Sequence, residues 1–206
     1  MVLAPSNPET HWQLCKKVLP HGKTTYVDKT FAPDLKTARR IFDLARKHKV
    51  ALQTSSALRY TSVQQRIEEL GDQLQHMVAW GGGSSFGEYA IHPVELVVSC
   101  MGGKARRLMR RGTKDRSQLL IDFSEGRTAV ANVYTNSKTP FAAAISTAGG
   151  TEHIPVANDI FRDQTLAILD FFETGVTKVD PNESLMIRRI LDVAGQKRVL
   201  KGFVKL

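Results

Sequence analysis

The fold of this chain is decided by residues 24–54, TTYVDKTFAPDLKTARRIFDLARKHKVALQT. A β-branched and aromatic run opens the segment at residues 24–27, and a second apolar run closes it at residues 50–52. Between them, Asp34 can cap a helix whose apolar residues recur at helical spacing, namely Leu35, Ala38, Ile41, Phe42 and Ala45. Strand, helix and strand in this order predict two parallel strands joined by a helical crossover.

The residues before this segment add one more strand and one more helix. Residues 2–4 form a short apolar run that stops at Pro5. From Pro8 the pattern turns helical, with one apolar face formed by Trp12, Cys15, Val18 and Leu19. We therefore expect a small parallel sheet with helical crossovers, an α/β arrangement, over residues 1–58.

Residues 59–206 follow a different pattern. A strand at residues 74–80 and a helix at residues 88–101 precede runs that are typical of antiparallel strands. These runs are residues 105–110, 119–123, 128–134 and 141–146, with a turn signal at 136–140. Two helices close the chain, one after Asp159 and one capped by Asp180, with Glu183 completing a capping box. This order predicts an α+β domain whose open, mainly antiparallel sheet is covered by helices on one face.

The composition is that of an ordinary globular protein, with 42% hydrophobic and 24% charged residues. No stretch is apolar enough to cross a bilayer, no signal peptide follows Met1, and Cys15 and Cys100 form no CxxC pair. We therefore expect a cytoplasmic protein without a membrane partner. The net charge of +9 attracts polyanions. Its densest run, residues 104–116, contains no aromatic residue, which favours a solvated face over a nucleic-acid site.

Three places in the sequence could carry chemistry. Lys29 follows a predicted parallel strand, at the edge of the sheet where ligands bind, although a surface lysine at a strand end is the alternative. Glu88 and His92 are four residues apart on a predicted helix, so the carboxylate could orient the imidazole for proton transfer. An exposed ion pair is the alternative there, and no second His or Cys stands at metal-ligand spacing.

The third place is the glycine run at residues 81–83, followed by Ser84 and Ser85. It does not have the Gly-x-Gly-x-x-Gly spacing of a dinucleotide fingerprint, which is absent from the whole sequence. We therefore expect a flexible loop near a pocket at this position.

Placed in order, short segments along nearly the whole chain resemble the Gfo/Idh/MocA oxidoreductases. APSNPETH at residues 4–11 is similar to the family's Thr-Pro loop with a His a few positions on, and VDKT at residues 27–30 to its Glu-Lys-Pro motif. SALRY at residues 56–60 is similar to the segment Asn-Arg-Arg-Tyr/Phe, and EYAIH at residues 88–92 to Asp-x-x-x-His. The helix and strand between the second and third segments also follow in the family's order.

The resemblance implies hydride transfer between NAD or NADP and a sugar or polyol hydroxyl. It makes residues 1–58 the remnant of a Rossmann domain and residues 59–206 a substrate-binding and oligomerisation domain. His92 would be the acid/base, Glu88 would orient it, and Lys29 would stabilise negative charge on the substrate oxygen. The implied cofactor-binding residues are Pro5, Asn7, His11, Asp28 and Lys29. The implied substrate-binding residues are Arg59, Tyr60 and Trp80.

The chain also departs from the family pattern. Asp28 replaces Glu, Glu88 replaces Asp and Thr30 replaces Pro. A family member would carry a Gly-rich phosphate-binding start ahead of Val2, so we expect an N-terminally truncated chain with impaired cofactor binding. The residue that selects NAD or NADP would lie in that part, and the choice stays open.

The last two expectations concern assembly and an alternative function. Residues 119–121 and 141–145 are apolar at successive positions, so both faces of their strands need cover. We therefore expect a homo-oligomer that buries the free face of the antiparallel sheet. The alternative function is a non-catalytic oligomerisation or interaction module derived from such an enzyme.

Overall fold

A computed structural model describes residues 1–135 and 138–206. The first part of the chain forms a three-stranded parallel sheet. Its strands, in spatial as well as chain order, are β1 (Val2–Leu3), β2 (Thr25–Val27) and β3 (Leu52–Gln53). The crossovers are α1 (Pro8–Val18) and α2 (Leu35–Lys47). This confirms the predicted parallel sheet with helical crossovers.

Local sequence explains where these two helices begin. The Asn7 side chain accepts a hydrogen bond from the Glu9 N–H at the start of α1. The Asp34 side chain accepts from the Thr37 N–H at 2.7 Å, which is the predicted cap of α2. The apolar face of α2 is buried through Ala38, Ile41, Phe42 and Ala45. These side chains pack with Cys15, Leu19 and Val27 into a core of their own.

The second part of the chain forms a seven-stranded sheet. Its strands are β4 (His76–Gly83), β5 (Ala105–Gly112), β6 (Arg116–Phe123), β7 (Thr128–Thr135), β8 (Ala142–Thr147), β9 (Gly150–Pro155) and β10 (Val204–Lys205). The spatial order is β10-β5-β6-β7-β4-β8-β9, and among the described residues only the β4–β7 pair of this sheet is parallel. The predicted open, mainly antiparallel sheet is therefore confirmed. The turn predicted at residues 136–140 lies partly outside the described residues.

Five helices accompany this sheet: α3 (Ser62–Leu70), α4 (Phe86–Tyr89), α5 (Ile91–Met101), α6 (Ile160–Thr174) and α7 (Pro181–Ala194). The helices α5 and α7 bury Val94, Val98 and Ile190 against Leu119 and Ile121 of the sheet. One face of the sheet is thus covered by helices, as predicted.

The helix α6 contributes Ile160, its first residue, to this core, whereas its later apolar residues are not part of the cover. Its Leu166 and Leu169 are 51% and 57% exposed. Instead, the amide of Gln164 donates to the Tyr26 hydroxyl at 3.0 Å, so α6 lies against the first sheet. The predicted capping box of α7 is also wrong in part: Asp180 caps Asn182, but the Glu183 carboxylate accepts a hydrogen bond from Arg59.

Within residues 1–135 and 138–206, every helix is too short or too polar to span a bilayer.

Candidate functional site

The three parallel strands end at one edge of the first sheet. Pro5 follows β1, Lys29 follows β2, and Ser56 follows β3. The carboxyl edge of an open parallel sheet is the place where such folds bind ligands. The sequence therefore delivers three separate loops to one potential binding edge.

A cavity of about 520 Å³ opens at this edge. Its wall combines loops of the first sheet with α4, α5 and α7 from the second part of the chain. It is lined by Ser6, Pro8, Glu9, Lys29, Thr30, Pro33, Gly87, Glu88, Tyr89, His92 and Arg188. The volume lies in the range of small-molecule sites. Lys29 and His92, which sequence reasoning singled out separately, are thus brought together in one cavity.

His92 is held on three sides. Its Nδ1 lies 2.8 Å from the Ser56 hydroxyl, and its ring lies 5.6 Å from the Tyr89 ring and 5.9 Å from the Phe141 ring. Burial in this setting, reinforced by the positive charge of Lys29, lowers the pKa of His92 from 6.5 to about 4. The imidazole is therefore neutral at physiological pH.

The glycine run at residues 81–83 is part of β4 and not a loop, so that prediction is wrong. Side chains cannot be accommodated here because aromatic rings pack directly on the backbone. A Cβ at Gly83 would stand 1.9 Å from the Tyr89 ring, and one at Gly81 would stand 2.9 Å from the Phe141 ring. The glycines therefore make room for the two rings that enclose His92.

Glu88 lines the same cavity but takes a different partner from the one predicted. Its carboxylate accepts hydrogen bonds from the hydroxyls of Ser84 at 2.8 Å and Ser85 at 3.2 Å. The helix turn Phe86–Tyr89 carries Glu88, whereas His92 belongs to α5. The structure brings Glu88 to the site, and the polar group bonded to His92 is Ser56.

The loop that carries Lys29 is tied down by groups distant in sequence. The buried His11 contacts the Phe31 carbonyl through Nδ1 at 3.0 Å and the Pro5 carbonyl through Nε2 at 2.6 Å. From α7, Arg188 donates to the Ala32 carbonyl at 3.2 Å. His11 therefore connects the loops after β1 and β2 and does not line the cavity itself.

Two further residues predicted to bind cofactor have structural roles in the chain. Asn7 caps α1, and Pro5 offers its carbonyl to His11. Asp28 is half-buried beside Lys29, and burial raises the pKa of its carboxyl, partly offset by hydrogen bonding to the Lys29 backbone and by the charge of that residue. The cofactor contacts predicted for these residues stay predictions.

Arg59 and Tyr60, predicted to bind substrate, point into polar networks. The Arg59 guanidinium pairs with Glu95 at 3.0 Å and with Glu183 at 2.6 Å. Burial lowers the pKa of Arg59, but the two carboxylates outweigh it and the net shift is upward. The Tyr60 hydroxyl lies 3.1 Å from the Ser55 hydroxyl. Neither residue lines the cavity.

Trp80 lies on the opposite side of the sheet from the site. Side chains alternate along β4, so Met77 and Ala79 face the helices whereas Val78 and Trp80 face away. The Trp80 ring is 6.1 Å from the ring of His153 on β9. The predicted substrate contact of Trp80 is therefore not supported by its position.

Sequence reasoning missed Ser56, Phe141 and Arg188 as members of the site. Ser56 belongs to a polar cluster at a strand end. This pattern marks the edge of the sheet, but it does not identify Ser56 as the partner of His92. Arg188 lies 156 residues after Ala32, whose carbonyl it binds, and no local pattern predicts such a contact. Among the described residues, no three His, Cys, Asp or Glu side chains group as a metal site would require.

The residues at the cavity fit the nicotinamide end of a dinucleotide. The loops after β1 and β2 form one wall, and Lys29 and His92 would offer a cation and a neutral imidazole to a substrate oxygen. The part of the chain that carries these loops has no Gly-x-Gly-x-x-Gly turn to cradle a pyrophosphate. The fit therefore concerns the nicotinamide and the substrate, and not the phosphates.

No family model and no curated protein matches the sequence. Solved structures do match it. A probable dehydrogenase from Thermotoga maritima aligns with a TM-score of 0.86 at 12% identity, over 99% of this chain and 79% of that one. GenD2 from gentamicin A biosynthesis, in complex with NAD, aligns with a TM-score of 0.80 at 16% identity, over 100% and 77%.

A third structure is a 3-ketoreductase from Actinomadura kijaniata in complex with TDP-benzene and NADP. It aligns with a TM-score of 0.71 at 14% identity, over 93% of this chain and 75% of that one. At these identities the similarity establishes the fold. The fold expected from the resemblance to the Gfo/Idh/MocA oxidoreductases is thereby confirmed, and the chain shares it with a probable dehydrogenase and with proteins solved in complex with NAD or NADP.

Proposed function

We propose that this chain belongs to the Gfo/Idh/MocA oxidoreductases and contains their nicotinamide and substrate site. The observation that carries the proposal is the meeting of Lys29, from the carboxyl edge of the parallel sheet, with His92, from α5, in one cavity. Two titratable groups of different type, converging from two parts of the chain on a pocket, are typical of a catalytic site. The shared fold supports the same assignment.

A nicotinamide held at this edge would supply the chemistry of hydride transfer to or from a substrate carbon. The residues of the chain act on the oxygen attached to that carbon. The Lys29 ammonium stabilises negative charge on the oxygen. His92 forms the second polar contact to this oxygen and removes or returns its proton. The rings of Tyr89 and Phe141 keep water from the imidazole, which strengthens both contacts.

We propose a sugar or polyol as substrate. The cavity is lined largely by polar side chains, among them Glu9, Glu88, Tyr89 and Arg188. A ligand with many hydroxyl groups can satisfy such a wall, whereas an apolar ligand would leave it unpaired. None of the residues that line this cavity distinguishes NAD from NADP.

The function is tested by following oxidation of NADH and NADPH at millimolar concentration with a panel of keto-sugars and ketopolyols. We expect His92→Ala to lower turnover by roughly 10²–10⁴-fold, as for a lost acid/base group. Lys29→Ala should lower turnover and weaken substrate binding together. The exposed His21→Ala and Lys23→Ala are matched controls that should keep full turnover. Equal turnover of His92→Ala and the wild type would remove His92 from the reaction.

We also propose that the chain associates through the free face of the seven-stranded sheet. One row of half-buried apolar side chains crosses this face, from β5 to β8: Met109, Leu120, Val130, Val78 and Ala144. A row of this kind is self-complementary across a two-fold axis and would be covered in a homodimer. This face is also the observation that favours the alternative function, an oligomerisation module without catalysis.

Assembly is tested by light scattering at tens of micromolar chain. We expect the wild type to be a dimer or larger and Leu120→Lys to be a monomer, because the lysine would bury a charge in the contact. Leu169→Lys, on the exposed face of α6, is the matched control and should keep the wild-type mass. A stable wild-type monomer would refute the proposal.

A further inference from the structure

The hydroxyl of Ser56 stands between the backbone and the imidazole of His92. Its oxygen accepts a hydrogen bond from the Leu58 N–H at 3.2 Å and lies 2.8 Å from His92 Nδ1. Ser56 is 0% exposed, so bulk water does not reach the hydroxyl. These two contacts decide which atom, the Ser56 oxygen or His92 Nδ1, carries the hydrogen between them.

The single hydrogen that the Ser56 hydroxyl can donate decides the tautomer of His92. A serine hydroxyl has one hydrogen to donate, and a buried hydrogen without an acceptor is unfavourable. The Leu58 N–H is a donor and cannot take that hydrogen. Among the described residues, His92 Nδ1 is the one acceptor in hydrogen-bond contact with the Ser56 hydroxyl. The arrangement that satisfies every group has Ser56 donating to Nδ1, and the hydrogen of the neutral imidazole then resides on Nε2.

We infer that Ser56 is the positioning residue of His92, that it holds the imidazole as the Nε2–H tautomer, and that the resting site recognises the keto form of its substrate. The inference rests on the proposed function, because it assigns Nε2 to a substrate oxygen. An Nε2–H group donates a hydrogen bond, and a carbonyl oxygen is an acceptor with no competing hydrogen of its own. To accept a proton from an alcohol, His92 would first have to move its hydrogen to Nδ1 and leave the Ser56 hydroxyl unpaired.

The other polar groups near His92 do not offer an alternative to Ser56. The Glu88 carboxylate is engaged by the hydroxyls of Ser84 and Ser85. Among the described residues, Lys29 makes no hydrogen bond to either nitrogen of His92, and its positive charge disfavours a second proton on the ring. The neighbouring rings of Tyr89 and Phe141 fix the plane of the imidazole without choosing between its nitrogens.

The test is ¹⁵N nuclear magnetic resonance of the histidine rings in the full chain at pH 7, without cofactor or substrate. The six histidines are separated by comparison with His92→Gln, which removes one set of signals. We expect a protonated-type shift at His92 Nε2 and an unprotonated-type shift at Nδ1. In Ser56→Ala the two shifts should move toward each other, because the Nε2–H tautomer then loses the hydrogen bond from Ser56 that adds to its intrinsic preference. Ser56→Thr, which keeps the hydroxyl, should restore the wild-type pattern.

Glu88→Gln is the control for the competing partner and should leave both shifts of His92 unchanged. A wild-type chain with the hydrogen on Nδ1 would overturn the inference, as would Ser56→Ala spectra identical to the wild type. The wild-type spectrum alone decides the tautomer even where a Ser56 variant fails to fold. Because the measurement needs no turnover, its outcome is independent of whether the proposed reaction is found. The keto preference is overturned separately if a polyol binds as tightly as the matching ketone.

Discussion

The buried ion network at Arg59 offers a quantitative test of how α5 and α7 are held to the segment that follows β3. Arg59 pairs with Glu95 and Glu183, and the three side chains are 10%, 4% and 20% exposed. Burial raises the pKa of Glu95 by more than the neighbouring Arg59 lowers it. Arg59→Leu would leave this carboxylate in an apolar setting without its cation. Removing one partner of a buried pair costs about 3–5 kcal/mol.

The assay is urea unfolding followed by circular dichroism. With a slope of about 2–3 kcal/mol per molar urea, the midpoint of Arg59→Leu should fall by about 1–2 M. Replacing Glu95 as well, in Arg59→Leu with Glu95→Leu, should recover most of the loss, because the more deeply buried carboxylate is then gone and the remaining Glu183 is 20% exposed. The pH dependence has a definite sign. The stranded Glu95 has a folded pKa above its ordinary value of 4.5, so the loss should be complete above that folded pKa and should disappear as the pH falls through it to 4.5.

Two results would refute this reasoning. One is an Arg59→Leu chain within about 1 kcal/mol of the wild type, which would mean that water already solvates Glu95. The other is a double variant no more stable than the single one, which would place the loss in packing and not in charge. Asp43→Ala removes an exposed pair with Arg46 and serves as control, with an expected change below about 0.5 kcal/mol.

The remaining predictions concern the walls of the site. His92 should titrate near pH 4, and because its folded pKa lies below its ordinary value of 6.5, its contribution to stability is complete above pH 6.5 and is lost as the pH falls to about 4. The difference corresponds to about 3 kcal/mol and should appear as a weaker acid destabilisation of His92→Asn than of the wild type in urea unfolding. Gly83→Ala should displace the Tyr89 ring and lower the free energy of unfolding by about 1–3 kcal/mol, since its Cβ would stand 1.9 Å from that ring. Gly87→Ala, with open space around its Cβ, should leave the free energy of unfolding nearly unchanged in the same assay.

The elements with strong local patterns were predictable from sequence. The helix α2 has its cap at Asp34 and its apolar face at the predicted positions. The short strand β10 and the edge strand β9 were not predicted. β10 has two residues, and five of the six residues of β9 are exposed, so neither carries an apolar alternation. Their pairing is decided by the neighbouring strands, which a local pattern does not record.

In the candidate site, too, the residues with a local pattern were predictable and those placed by tertiary packing were not. Lys29 and His92 were found because each stands in a recognisable local setting, a strand end and a helix with a nearby carboxylate. The partner of His92 was not found, because Glu88 is four residues away in sequence whereas Ser56 is 36 residues away. The glycine run was misread for a related reason. The glycines leave room for the rings of Tyr89 and Phe141, and this packing is visible only in the tertiary structure.

The central proposal is that the cavity between Lys29 and His92 receives a nicotinamide. The most direct measurement is a titration of the full chain with NADH, with reduced nicotinamide mononucleotide and with AMP, read at the ring signals of His92. We expect both nicotinamide compounds to shift these signals with similar dissociation constants well above the low micromolar range, and AMP to leave them unchanged, because the sequence has no Gly-x-Gly-x-x-Gly motif for a pyrophosphate. His92 signals that stay unmoved at millimolar NADH would contradict the claim, and a low-micromolar dissociation constant for NADH would contradict the expected weakness of binding.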